Sequence, residues 1–194
     1  MFSLKFAVRY LLHRFKAINR HGLHSPFVYR MVDKVIYDFR DKKVYQDIQN
    51  LINPDKRLSR NQKLLYRLVS DIMPQSILLL GRVSMADQRI LEQAAPDAIQ
   101  YLPAEQPVTG KAALLFIDAA KTTGNLWNVF EQCLAYTNTH SSLIIKNLHQ
   151  RTTNEQVWKA IKAHPQVTVT VDLFWFTLIY FRQGQTREDF LIRF

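Results

Sequence analysis

Residues 76–95 read SILLLGRVSMADQRILEQAA, and the interpretation of this stretch decides the fold. The aliphatic run Ile77–Leu80 stops at one glycine, Gly81, and a helical pattern begins at Ser84. A strand, a glycine turn and a helix are the arrangement at which open α/β sheets dock nucleotide-type cofactors, because the amides of the helix N-terminus point at the ligand. Gly81, Arg82 and Ser84 are therefore the candidate cofactor-binding residues of this turn. The plainer reading is an ordinary strand-to-helix turn in which Ser84 is the N-cap and Asp87 completes a pair resembling a capping box. A lone glycine fits both, so the surrounding chain has to decide.

Downstream, short apolar runs continue to alternate with helical stretches: Ile99–Leu102, Leu114–Asp118, a helix from Asn125, Ser142–Lys146, and a helix from Thr153. Such a βαβ series predicts a mainly parallel sheet. The segment VTVTVDLFWFTLIYFRQGQTREDFLIRF, residues 167–194, changes character. It alternates Val167, Val169 and Val171 with Thr168, Thr170 and Asp172, runs on through nine strand residues, turns at Gly184 and closes with a short strand over 190–194.

Upstream the chain is helical and basic. Residues 1–70 carry 15 Lys and Arg against 5 Asp and Glu, while residues 71–194 carry 11 of each, so the whole net charge of +10 lies in the first 70 residues. Over residues 4–18, Leu4, Ala7, Val8, Leu11, Phe15 and Ile18 share one helical face, and Lys5, Arg9, His13, Lys16 and Arg20 fall on the other. This apolar face is expected to pack on the α/β portion with the charges solvated. The functional alternative is contact with nucleic acid phosphates or an anionic membrane surface through residues 1–70. In NRHGLHSPF, residues 19–27, Gly22 suits a left-handed helix cap and Ser25-Pro26 suits the start of a second helix running to about Asp38. Third and fourth helices follow at Val44–Ile52 and Leu64–Ile72. The division predicted is a helical segment, 1–73, and an α/β domain, 74–194.

Composition agrees with one sizeable core: 47% of the 194 residues are hydrophobic and 12% aromatic. The single cysteine, Cys133, lies in an apolar helical pattern and reads as a small buried hydrophobe. With no internal disulfide available, no apolar run of membrane-spanning length and a charged N-terminus, the expected location is the cytoplasm.

HGLHSPFVYR near the start, with KAHPQVTVTVDLFWFTLIYFR and LIRF near the end, resembles a bacterial subgroup of the class I S-adenosylmethionine-dependent methyltransferases. The resemblance covers both ends and most of the middle. It implies a Rossmann-like sheet with the cofactor across the carboxyl ends of its first strands. Ile77–Leu80 takes the place of the family's first strand, Leu114–Asp118 of its fourth and Ser142–Lys146 of its fifth. Only 33 residues, 81–113, separate the first from the fourth, so the family's third strand is expected to be missing. The order implied is 2-1-4-5-7-6, a mostly parallel sheet with its last strands antiparallel and the first four helices at its N-terminal end.

The departures bear on chemistry. Where the family has an acid in the first strand and a second glycine after the turn, this chain has Leu79 and Met85. Its ribose-holding acid falls at Leu102 or Pro103, with Glu105 the nearest carboxylate and out of register. The acid pair of metal-dependent relatives reads Lys146-Asn147, and a lysine repels a divalent cation, so no metal site is expected. His21 and His24 have no third ligand nearby and read as capping residues. Asp118 and His149, at adjacent strand ends, remain the catalytic candidates, and Asp118 is also a candidate for holding the cofactor. The expectation is a methyltransferase-like protein whose S-adenosylmethionine site is degenerate, so that cofactor binding is weak or absent. Two alternatives stand beside it: an active methyltransferase with an atypical pocket, and a non-catalytic module that binds an acidic partner through its basic half.

Overall fold

The computed structural model describes residues 4–102 and 110–194; Pro103 and Glu105, for which the sequence raised expectations, lie outside them. One seven-stranded sheet organises the chain. Its strands are β1 (Ser76–Leu80), β2 (Ile99–Tyr101), β3 (Leu114–Asp118), β4 (Ser142–Lys146), β5 (Val169–Asp172), β6 (Phe176–Tyr180) and β7 (Glu188–Leu191), in the order β2-β1-β3-β4-β6-β5-β7. All pairings are parallel except β4 with β6 and β5 with β6, so β6 alone runs against its neighbours. This is the mostly parallel, Rossmann-like sheet with antiparallel pairings at its C-terminal side that the sequence predicts. Its first six positions follow the expected order, and no strand lies beyond β2 among the described residues.

Two details differ from expectation. The sheet gains a seventh strand, because β7 settles on the outer edge of β5. β6 ends where β5 begins, so a short hop across that end brings the chain back parallel to β5, and the Thr170 hydroxyl donates to Asp189 Oδ1 at 2.5 Å across the pair. The strand run expected to continue from Val167 past Asp172 is also interrupted after Asp172 by a tight turn, Leu173–Trp175. There the Phe174 N–H donates to Asp172 Oδ1 at 2.8 Å, and Leu173 N donates to the Phe176 carbonyl at 2.9 Å. Phe174 has φ 71°, a left-handed conformation that costs a bulky residue about 1–2 kcal/mol. No Gly, Pro or Asn marks the reversal, which hid it in the sequence.

Helices cover both faces. α2 (Pro26–Met31, continued by a π-turn to Ile36), α3 (Lys43–Ile52), α4 (Arg60–Ile72) and α5 (Met85–Ala94) pack on the face that carries Ile77, Leu79, Leu114, Phe116, Ile144 and Leu178. α6 (Leu126–Leu134) and α7 (Asn154–Ala163) pack on Leu78, Leu115, Ile117, Leu143, Ile145 and Ile179. The alternation of neighbours in β1 and β3 between two cores is the strand period of two, and each buried Leu or Ile contributes about 1.5–3 kcal/mol. Cys133 is buried in the second core, and burial pushes its thiol up to about 12.

The helices of the basic half are not collected at the N-terminal end of the sheet. α2 to α4 share a core with one sheet face, and α1 (Leu4–Lys16) reaches the opposite, carboxyl end. Gly22 ends a short 3₁₀ turn without adopting a left-handed φ, because Ile18 instead bridges to Ile192 beside β7 and draws the chain extended.

Candidate functional site

The carboxyl ends of β1, β3 and β4 converge with the start of α5. Gly81 has φ 75°, which explains the glycine; a Cβ there would meet nothing closer than Thr122 Oγ1 at 3.7 Å, an ordinary contact. Ser84 is the N-cap: its hydroxyl accepts the Asp87 N–H at 3.1 Å and donates to Asp87 Oδ2 at 2.5 Å. Asp87 is 2% exposed, and both of its oxygens accept from Lys146 Nζ at 2.7 Å. The N-terminus of α5 thus holds a carboxylate of its own chain, stabilised by the helix dipole and a lysine. Arg82 is exposed beside it.

Asp118 ends β3 as predicted and is 1% exposed. Its Oδ1 accepts the Ala120 N–H at 3.1 Å and the Asn147 amide at 2.9 Å, and its carbonyl accepts the Thr122 hydroxyl at 2.9 Å. Asn147 follows β4 with φ 60°, a conformation that asparagine tolerates and that aims its amide at Asp118. The Lys146-Asn147 pair is therefore committed to Asp87 and Asp118. Beside them, about 230 Å³ of cavity is lined by Ser59 and Gln62 at the start of α4, and by Ser84, Asp87, Lys146 and Phe176. Ligand pockets generally hold about 300–1,000 Å³.

His149 turns away from Asp118. Its Nε2–H donates to Asp172 Oδ2 at 2.8 Å, and its ring stacks on Phe174 with centroids 5.0 Å apart. On the same aspartate, His13 of α1 donates from Nε2 to the Asp172 carbonyl at 3.3 Å and lies 3.6 Å from Oδ1. Burial pushes the Asp172 carboxyl up, but the hydrogen bonds and charges of His13 and His149 outweigh it and hold the group below the usual carboxylate range. Phe6 and Tyr10 of α1 meet Phe174 edge-on at 5.2 and 4.9 Å and close the cluster.

Sequence reading missed His13, Asp172 and the Phe174 turn. The available signal was one acid in an apolar hairpin and one histidine on the first helix. No group of three His, Cys, Asp or Glu is placed to hold a metal ion among the described residues.

A sheet of this order, wound by helices on both faces, with its polar groups outside the carboxyl ends, has the fold of the class I methyltransferases. No family model matches the chain, and no curated protein matches it in sequence. Solved structures do. The S-adenosylhomocysteine-bound methyltransferase PaMTH1 of Podospora anserina matches with a TM-score of 0.53 and 9% identity, over 84% of this chain and 98% of that one. A Klebsiella pneumoniae protein assigned as an O-methyltransferase matches with a TM-score of 0.52 and 13% identity, over 77% of this chain and 94% of that one.

Proposed function

We propose that this chain is a methyltransferase-like protein, of the subgroup with the HGLHSPF-type opening, whose cofactor crevice is closed by its own side chains. S-adenosylmethionine then binds weakly or not at all, and catalysis is not the chain's role. The observation that carries this reading is the bidentate Asp87–Lys146 pair at the N-terminus of α5, where a bound cofactor would need free amides and space. The adjoining cavity is below the usual ligand range, and Leu79 and Met85 supply no polar group to the turn. Its one cysteine, buried and unpaired, agrees with a cytoplasmic location.

Isothermal calorimetry with S-adenosylmethionine and S-adenosylhomocysteine tests this. Losing two charged hydrogen bonds, at about 1.5–3 kcal/mol each, turns a micromolar ligand into one of about 100 µM or weaker. A low-micromolar Kd that Asp118→Ala removes would overturn the reading. The result would favour an active enzyme with an atypical pocket, a reading to which the His149–Asp172 bond lends support as an imidazole held by a carboxylate.

A further inference from the structure

α1 is divided lengthwise into three sectors. Phe6, Tyr10 and His13 face the body of the protein and dock on Asp172, Phe174 and Trp175. The opposite sector is apolar and faces water: Leu4 and Phe15 are 81% and 82% exposed, and Val8, Leu11 and Leu12 are 46–53% exposed. This is the face that the sequence predicted to be packed inward. Helical spacing places Lys5 and Lys16 along one flank of it and Arg14 along the other.

These flanking cations differ from most of those elsewhere in the basic half, of which Lys43, Lys56 and Arg57 are likewise exposed and outside any ion pair among the described residues. Arg20, Arg30, Lys34, Arg40, Lys42 and Lys63 all pair with aspartates, and Arg67 is buried against the carbonyls of Val35 and Ile36. Within α1, Arg9 pairs with Glu155 on α7 and so belongs to the docked side. Lys5, Arg14 and Lys16 are exposed, take part in no ion pair among the described residues, and share a helix that contains no acid.

We propose that α1 is an interfacial helix that docks this chain on an anionic bilayer surface, its exposed leucines, valine and phenylalanine in the acyl boundary and its lysines and arginine at headgroup level. An apolar sector edged by cations, on a helix too short to span, is the form that such a surface selects. Charge decides between occupants. A second copy would bring two acid-free basic helices together, and a nucleic acid would neutralise the cations while leaving five large apolar side chains in water. Because the docked sector rests on the hairpin turn, binding brings the carboxyl end of the sheet toward the lipid. The proposal is independent of whether S-adenosylmethionine binds.

Co-sedimentation of the full chain with vesicles of equal parts phosphatidylcholine and phosphatidylserine, and with vesicles of phosphatidylcholine alone, tests it. Binding is expected to the anionic vesicles only, and to weaken as salt rises. The exposed-face variant Leu11→Ser with Phe15→Ser should lower the partition coefficient by about a hundredfold. Lys5→Glu with Lys16→Glu should lower it by tenfold or more, at about 1 kcal/mol per charge. All four positions point away from the docked sector, so circular dichroism and Tm should stay at wild-type values. Three outcomes would overturn the proposal. One is no binding of the wild type at low salt. Another is a dimer in analytical ultracentrifugation that the Leu11/Phe15 variant dissociates, which would make this face a self-interface. The third is duplex DNA binding that the lysine reversals abolish, with vesicle binding unaffected by Leu11 and Phe15.

Discussion

Two polar clusters lie at the carboxyl end of the same sheet and are built in opposite ways. In the crevice beside Gly81, the pairs Asp87–Lys146 and Asp118–Asn147 join residues that all belong to the α/β portion. In the hairpin cluster, Asp172 is shared by His149 from the short turn after β4 and His13 from the first helix, 159 residues away in sequence. The first closes the end of the sheet on itself; the second fastens a separate element over it. Polar groups at strand ends can thus serve as internal ties, and their partners determine which tie each one makes.

The comparison predicts unequal costs. Asp172→Ala should be the most destabilising change, by about 3–5 kcal/mol, since it strands one buried imidazole, one partly buried imidazole and the Phe174 N–H. Lys146→Ala should cost less, about 1–3 kcal/mol, because the lysine side chain is 21% exposed and water reaches the Asp87 carboxylate once it is gone. Urea unfolding of both variants checks the order, and a larger loss for Lys146→Ala would break the contrast.

Acid pH sharpens it. The Asp172 carboxyl titrates lower in the folded chain than in the unfolded one, where its pKa is about 3.9. Its contribution is fully present above that unfolded value and is lost as pH falls through the lowered folded value. Urea midpoints should therefore decline below about pH 4, and Asp172→Asn should flatten that decline. An unchanged acid limb in the variant would assign the loss to other carboxylates.

Smaller effects follow. Ser84→Ala should cost about 1 kcal/mol through the lost cap on α5, measured by thermal unfolding. Cys133 should not react with a thiol reagent at neutral pH until the chain unfolds, since its thiol is buried and its thiolate disfavoured.

The sequence alone determined the sheet, because the short aliphatic runs of β1 and β3, their alternation with helical stretches and the glycine after Leu80 are local signals that tertiary context reinforced. It also located Asp118 at a strand end and the Ser84 cap with Asp87, since both depend on neighbours within a few residues. Only the tertiary structure decided the rest. The turn at Phe174 has no Gly, Pro or Asn; its one local cue is Asp172, whose carboxylate accepts the Phe174 N–H, and a single Asp inside a long apolar run is too weak a signal to announce a reversal. The meeting of His13 with Asp172 needs the whole chain to return to its start. Which face of α1 docks was equally beyond the sequence: aromatic contacts and the Asp172 bond fix one sector against the hairpin, and leave its more apolar side to water because the body offers it no surface.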